Sequence, residues 1–171
     1  MRDYTIEEIR EDHPKWADLL TFIEDNDLLR NGVLAKGADK SDRCLIMASM
    51  NSTIVGLLMF LIQPIGPEVD CPVLLNKEGV PLKEAKIRSF FVAEDLRGRG
   101  IGTGLQEEAL VLAARMGAYQ VRSRSEVSRK ANYTIKLKLG YSASPEMWED
   151  KDENHPEGIV KTPAFCFTKR V

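Results

Sequence analysis

Histidine and cysteine are scarce in this chain of 171 residues, with two of the first and three of the second. Cys44, Cys71 and Cys166 stand far apart, with no spacing that would gather metal ligands, so neither a metal site nor a disulfide scaffold is expected. No apolar run reaches the ~18 residues that a membrane-spanning helix needs. The opening Met1-Arg-Asp-Tyr-Thr-Ile-Glu-Glu lacks the apolar core of a signal peptide. There is no internal repeat, low-complexity tract or linker. These absences point to one domain over residues 1–171, with reduced thiols, a cytoplasmic setting and no membrane partner. At that length a globule buries ~70% of its unfolded surface.

Glycine is what the chain has in one place. The stretch Phe90-Phe-Val-Ala-Glu-Asp-Leu-Arg-Gly-Arg-Gly-Ile-Gly-Thr-Gly-Leu105 passes from an apolar strand through an acidic turn into a glycine-rich loop, and a helical pattern follows at once. Glycines let backbone close on a ligand, and the first amides of a helix have no internal partner while the helix dipole adds positive charge. The loop therefore reads as a phosphate site. It is no dinucleotide fingerprint: a Gly-x-Gly-x-x-Gly count from Gly98 ends on Thr103, and from Gly100 on Leu105. It is no P-loop either, since Gly-Lys-Ser/Thr is missing. Around it the charge is uneven. The formal net charge is −2, yet residues 88–138 hold ten bases against five acids. That excess suits an anionic cofactor. No interleaved aromatics accompany it, so nucleic acid is not an expected partner.

The pattern Arg97-x-x-Gly100-x-Gly102 after a strand ending in Val92, with Glu94 and Ile101 in place, resembles the pyrophosphate loop of the GNAT (GCN5-related) N-acetyltransferases. Downstream, Ile135-Lys-Leu-Lys-Leu-Gly-Tyr141 is similar to that family's Leu-Tyr-Glu-Lys-Leu-Gly-Phe element. The resemblance covers roughly residues 84–141. It implies an α/β acyltransferase fold, a mixed and mostly antiparallel sheet flanked by helices, which opens where strands at 85–92 and 119–124 diverge. It implies acetyl-CoA as cosubstrate and direct transfer to a primary amine, with no acyl-enzyme. The acceptor would be a small molecule or a peptide, and a homodimer is compatible with the family. An acyl-CoA-binding sensor of the same fold is the rival reading.

The resemblance also implies site residues. The amides around Arg99, Gly100, Gly102 and Thr103 would hold the pyrophosphate, with Arg97, Gly98 and Ile101 beside them. Phe91 and the Val92 backbone would flank the pantetheine arm, and Asn132 would face it. The family's tyrosine acid falls on Lys136; Tyr133 is one turn earlier, and the thiolate could also leave without an acid. For the base, Glu84 and Glu126 are the carboxylates on the strands concerned.

The rest of the chain fits around this half. Residues 2–9 read as a strand, 14–27 as an amphipathic helix and 28–35 as a second short helix. Two apolar runs, 44–49 and 54–62, flank a turn at Met50-Asn-Ser-Thr53. Both are too apolar for a one-sided sheet, so helices are expected on both faces. Residues 63–83 form a long connection rich in proline. Ser128 is placed to cap a helix whose buried face is Ala131, Ile135 and Leu139. Strands are expected at 141–149 and after Ile159. Between them, Glu146 to Glu157 carries six acids and one lysine, which suggests steering of a cationic acceptor.

Overall fold

The computed structural model describes residues 3–28, 43–67, 71–151 and 159–171. The short helix expected at 28–35, beyond Leu28, and the second half of the acidic stretch lie outside them. Seven strands form one sheet in the order β1-β2-β3-β4-β5-β7-β6. They are β1 (Thr5–Ile9), β2 (Arg43–Met50), β3 (Thr53–Pro64), β4 (Lys83–Val92), β5 (Gln120–Glu126), β6 (Ser142–Lys151) and β7 (Ile159–Arg170). All neighbouring pairs are antiparallel except β4–β5.

Three α-helices pack on the sheet: α1 (Trp16–Asp25), α2 (Ile101–Arg115) and α3 (Lys130–Lys138). The apolar runs of β2 and β3 are buried on both faces, as their composition requires. One face meets α1 through Leu19, Ile23, Met47, Leu57 and Met59. The other meets α2 through Ile46, Leu58, Phe60, Ile101 and Leu105. The β2–β3 turn uses Asn51 (φ 48°) and Ser52 (φ 66°), the left-handed pair that matches the twist of a two-residue hairpin. At the entry to α1, His13 Nδ1 accepts the Lys15 N–H at 3.1 Å, so this histidine serves the helix start.

The site is positioned by what β4 does halfway along its length. Its pairing with β5 runs only from Glu84↔Gln120 to Ile87↔Ser123. At the same point its register with β3 jumps, from Ile87↔Phe60 to Ser89↔Met59, so Arg88 is the extra residue of a β-bulge. A bulge sharpens the local twist and bends its strand. Beyond it, Ser89–Val92 stay with β3 and leave β5, which pairs onward with β7 as far as Glu126↔Ala164. The parallel pair therefore opens into a fork.

Two expectations about α3 are corrected. Ser128 does not cap it: Arg129 is the N-cap residue and makes no side-chain cap bond, while Ser128 Oγ donates to Glu126 Oε2 at 3.1 Å. The residue α3 buries fully is Lys136, whereas Ala131 is exposed and Ile135 half-buried. The reason appears at the site, where Ala131 and Ile135 form a cleft wall instead of core.

Candidate active site

A cleft of about 500 Å³ fills one branch of the fork. Phe90, Phe91 and Val92 form its β4 side, Arg97, Gly98, Ile101 and Gly102 its loop and helix side, and Asn132 and Ile135 its α3 side. Most of the residues expected to hold acetyl-CoA are thus brought together. Gly100 stands at the N-cap of α2 with φ 83°, a conformation that costs a side-chain-bearing residue about 1–2 kcal/mol. Its carbonyl accepts the Tyr4 hydroxyl at 3.0 Å and the Gly104 amide at 3.0 Å. The amides of Ile101, Gly102 and Thr103 precede that helical bond, which leaves them to an outside acceptor. Gly102 is glycine for space: a Cβ there would lie 3.1 Å from Phe90 and 3.2 Å from Ile135.

The side chains of two of these positions do not face the cleft. Arg99 extends toward Asp3, at 3.9 Å, and Thr103 is not in the cleft wall; what either offers is its backbone. Arg97 lies across the β4 end. Its Nε donates to the Val92 carbonyl at 3.2 Å, and Nη1 reaches Glu94 at 3.3 Å in an exposed pair. Asn132 has a donor satisfied, Nδ2 to Ser125 Oγ at 3.0 Å, but its Oδ1 is buried without a partner. An orphaned acceptor of this kind in a cleft wall fits the amide N–H of a pantetheine arm.

A second, smaller cleft of about 190 Å³ occupies the fork itself, between Arg88–Phe90 of β4 and Ser123–Glu126 of β5. Phe90, Arg129 and Asn132 belong to both clefts, so the two are continuous. Trp148 of β6 closes its far side. Another cleft, about 350 Å³ beside Trp16 and Arg43, shares no residue with these two. None of the described residues of the long 63–83 connection lines the fork; they fold on themselves through the Leu75↔Pro81 bridge.

The expected catalytic residues separate. Glu126 lines the smaller cleft. Glu84 does not. It is 1% exposed, at the closed end of β4, and both its oxygens accept from Arg122 Nε at 2.9 Å. Gln63 and Gln120 donate to it as well, at 3.0 and 3.1 Å. Burial alone would raise its pKa, but the hydrogen bonds from Arg122 and Gln120, with the Arg122 charge, bring it below the usual carboxylate value. A carboxylate so held is a poor proton acceptor, and Glu84 is a structural ion pair. Lys136 is likewise turned away. It is fully buried, Nζ donates to Gln106 Oε1 at 3.4 Å, and it sits 5.2 Å from the Tyr141 ring centroid and 5.8 Å from that of Phe167. Burial brings its pKa down to about 7, yet it faces the core beneath α3 and lines neither cleft. Tyr133 packs edge-on against Phe165 and Phe167. Among the described residues, no tyrosine or lysine of the Ile135–Tyr141 element enters the larger cleft.

A family model described as the acetyltransferase (GNAT) family matches residues 3–137. The chain belongs to the GNAT acetyltransferases, which use acetyl-CoA. No curated protein matches the sequence. Among solved structures, the fold is similar to Arabidopsis thaliana NAA60 in complex with a bisubstrate analogue, with TM-score 0.71, 13% identity and 98% and 99% of the two chains covered. It is also similar to a GNAT family acetyltransferase from Elizabethkingia anophelis with acetyl-CoA bound (TM-score 0.64, 18% identity, 100% of both chains). A third likeness is the ribosomal-protein-alanine N-acetyltransferase of Brucella melitensis (TM-score 0.63, 15% identity, 98% and 99% covered).

Proposed function

We propose that this protein transfers an acetyl group from acetyl-CoA directly to a primary amine that enters the smaller cleft. The observation that carries the reading is the continuity of the two clefts across Phe90, Arg129 and Asn132, at the mouth of the β4–β5 fork. In this reading the amides at the start of α2 hold the pyrophosphate. The open β5-facing edge of Ser89–Val92 accepts the pantetheine arm as an added strand, and Asn132 Oδ1 accepts a hydrogen bond from one of its amide N–H groups. The amine nitrogen forms a C–N bond to the thioester carbon, the C–S bond breaks, and the electron pair leaves on sulfur. Holding both partners in one fork supplies most of the acceleration.

The amine must lose a proton, and Glu126 is the carboxylate at hand. It lines the acceptor cleft, half-buried, with Ser128 Oγ as a hydrogen-bond donor. The departing thiolate takes its proton from solvent, since Lys136 is turned into the core. The test is kcat against pH with one fixed amine. Glu126→Gln should lose the acidic limb and at least tenfold in kcat, with acetyl-CoA affinity unchanged. A wild-type profile in that variant removes Glu126 from the mechanism.

The inward turn of Lys136 also favours a second reading, a non-catalytic acyl-CoA sensor. Release of free CoA thiol from acetyl-CoA across an amine panel separates the two.

A further inference from the structure

Glycine stands at every second position from Gly98 to Gly104. The first turn of α2 is therefore Ile101-Gly-Thr-Gly104, and glycine is a poor helix former. Gly102 has its reason in the larger cleft, where a Cβ would crowd Phe90 and Ile135. Gly104 has a different one, since it is buried and lines neither cleft of the fork. A Cβ on it would lie 3.0 Å from the Tyr4 hydroxyl oxygen, 3.3 Å from Tyr4 Cε2 and 2.6 Å from Ile6 Cδ1. Gly104 is small so that the chain entering β1 can lie against the start of α2. What this approach delivers is one hydrogen bond. Tyr4 is buried, and its hydroxyl donates to the Gly100 carbonyl, 96 positions away along the chain. The Gly104 amide donates to the same oxygen, so both of its lone pairs are used.

The Gly100–Ile101 peptide is trans and planar, so its C=O and N–H point in opposite directions. Fixing the carbonyl toward Tyr4 and the helix body fixes the Ile101 N–H away from them. It also holds Gly100 at the φ of 83° from which the helix starts. One residue earlier, Asp3 lies 3.9 Å from Arg99 in an exposed pair. Such a pair contributes little by itself, but it keeps the same two stretches of chain side by side. We infer that Tyr4 is a positioning residue for the cosubstrate: its hydroxyl clamps the N-cap carbonyl of α2, and Gly104 is the space that lets the clamp close. The free amides of the first turn are then set for an anion before it arrives, and ordering done in advance raises affinity. The inference rests on the reading that these amides hold the pyrophosphate of acetyl-CoA.

The test titrates the full chain calorimetrically with acetyl-CoA as wild type, Tyr4→Phe, Gly104→Ala, the double variant and Gly102→Val. Hydrogen exchange along α2 is followed by NMR in the unliganded proteins. Tyr4→Phe should raise the Kd for acetyl-CoA about fivefold and speed exchange of the Gly104 amide, which shares the clamped carbonyl, while amides from Ala109 onward keep their rates. Alanine is the better helix former, so helix propensity alone would leave binding by Gly104→Ala unchanged or tighter. The clamp requires it to weaken, and the double variant to lose less affinity than the two single losses combined. The inference is overturned if Tyr4→Phe keeps the wild-type Kd, if exchange rises equally along the whole of α2, or if Gly104→Ala binds as tightly as the wild type. Gly102→Val reports on the loop reading itself. If it loses acetyl-CoA and Tyr4→Phe does not, only the clamp fails; if it too binds normally, the loop reading fails and the clamp with it.

Discussion

Lys136 is fully buried, and among the described residues its ammonium donates to Gln106 Oε1, 3.4 Å away. Its folded-state pKa of about 7 lies below the ordinary lysine value of 10.5, so the fold prefers the neutral amine. Below pH 7 both folded and unfolded chains hold the proton, and the desolvation cost is present in full. As pH rises above 7 the unfolded chain binds more protons than the folded one, and stability increases. From pH 7 to pH 9 the wild-type protein should gain about 2 kcal/mol of unfolding free energy relative to Lys136→Met, by chemical denaturation. Parallel curves for the two proteins would show that Lys136 keeps its charge in the fold. The same scale explains why Glu84 and Lys136 could not be sorted from the sequence. A carboxylate and an ammonium near a glycine loop read as acid-base candidates, and only their neighbours reveal otherwise. Arg122, which holds Glu84, is 38 positions away along the chain.

At the scale of elements, α2 and α3 do different work on the same fork. The N-terminus of α2 presents amides, and Gly102 sets how closely the helix approaches Phe90 and Ile135. Gly102→Val places a branched side chain in that gap. It should reduce acetyl-CoA affinity at least 100-fold by calorimetry, with unchanged far-UV circular dichroism and a stability loss of about 1–3 kcal/mol from overpacking. Near-normal affinity in a folded variant would move the cosubstrate out of this cleft. Gly102 is a cleaner probe than Gly100, where φ of 83° makes any side chain strain the backbone as well. For α3 the sequence pattern gave the helix and placed Leu139 against the core, but it assigned Ala131 and Ile135 to the wrong surroundings. Ala131, Ile135 and Leu139 form an apolar stripe, and apolar stripes usually enter cores. Here Ala131 and Ile135 line the cleft, while the core position beneath the helix falls to Lys136. Periodicity cannot tell a core from a cleft, because both are apolar.

For the whole molecule, the governing feature is the fork. The bulge at Arg88 releases β4 from β5 after Ile87↔Ser123, and the space between becomes the site. Backbone amides of Ser89–Val92 that face the fork have no strand to pair with. They should exchange hydrogen faster than those of Glu84–Ile87, and acetyl-CoA should slow them selectively. Equal protection of both halves of β4 before ligand addition, or no change on adding acetyl-CoA, would argue against an added-strand mode of binding. No helix among the described residues is long and apolar enough to cross a membrane.

The sequence by itself determined the strand-loop-helix core of the cosubstrate half, the hairpin of β2 and β3, the layering of helices on both faces, and the family. Each of these depends on local chemistry: glycines that free a backbone, a helix start with unsatisfied amides, apolar runs with the period of a strand. Tertiary structure alone decided which charges meet. It paired Glu84 with Arg122, buried Lys136 under α3, and brought Arg88, Arg124 and Arg129 to one wall from three elements. The physical reason is that electrostatic roles depend on distance and burial in space. Strand order places β5 beside both β4 and β7, and no spacing along the chain encodes that.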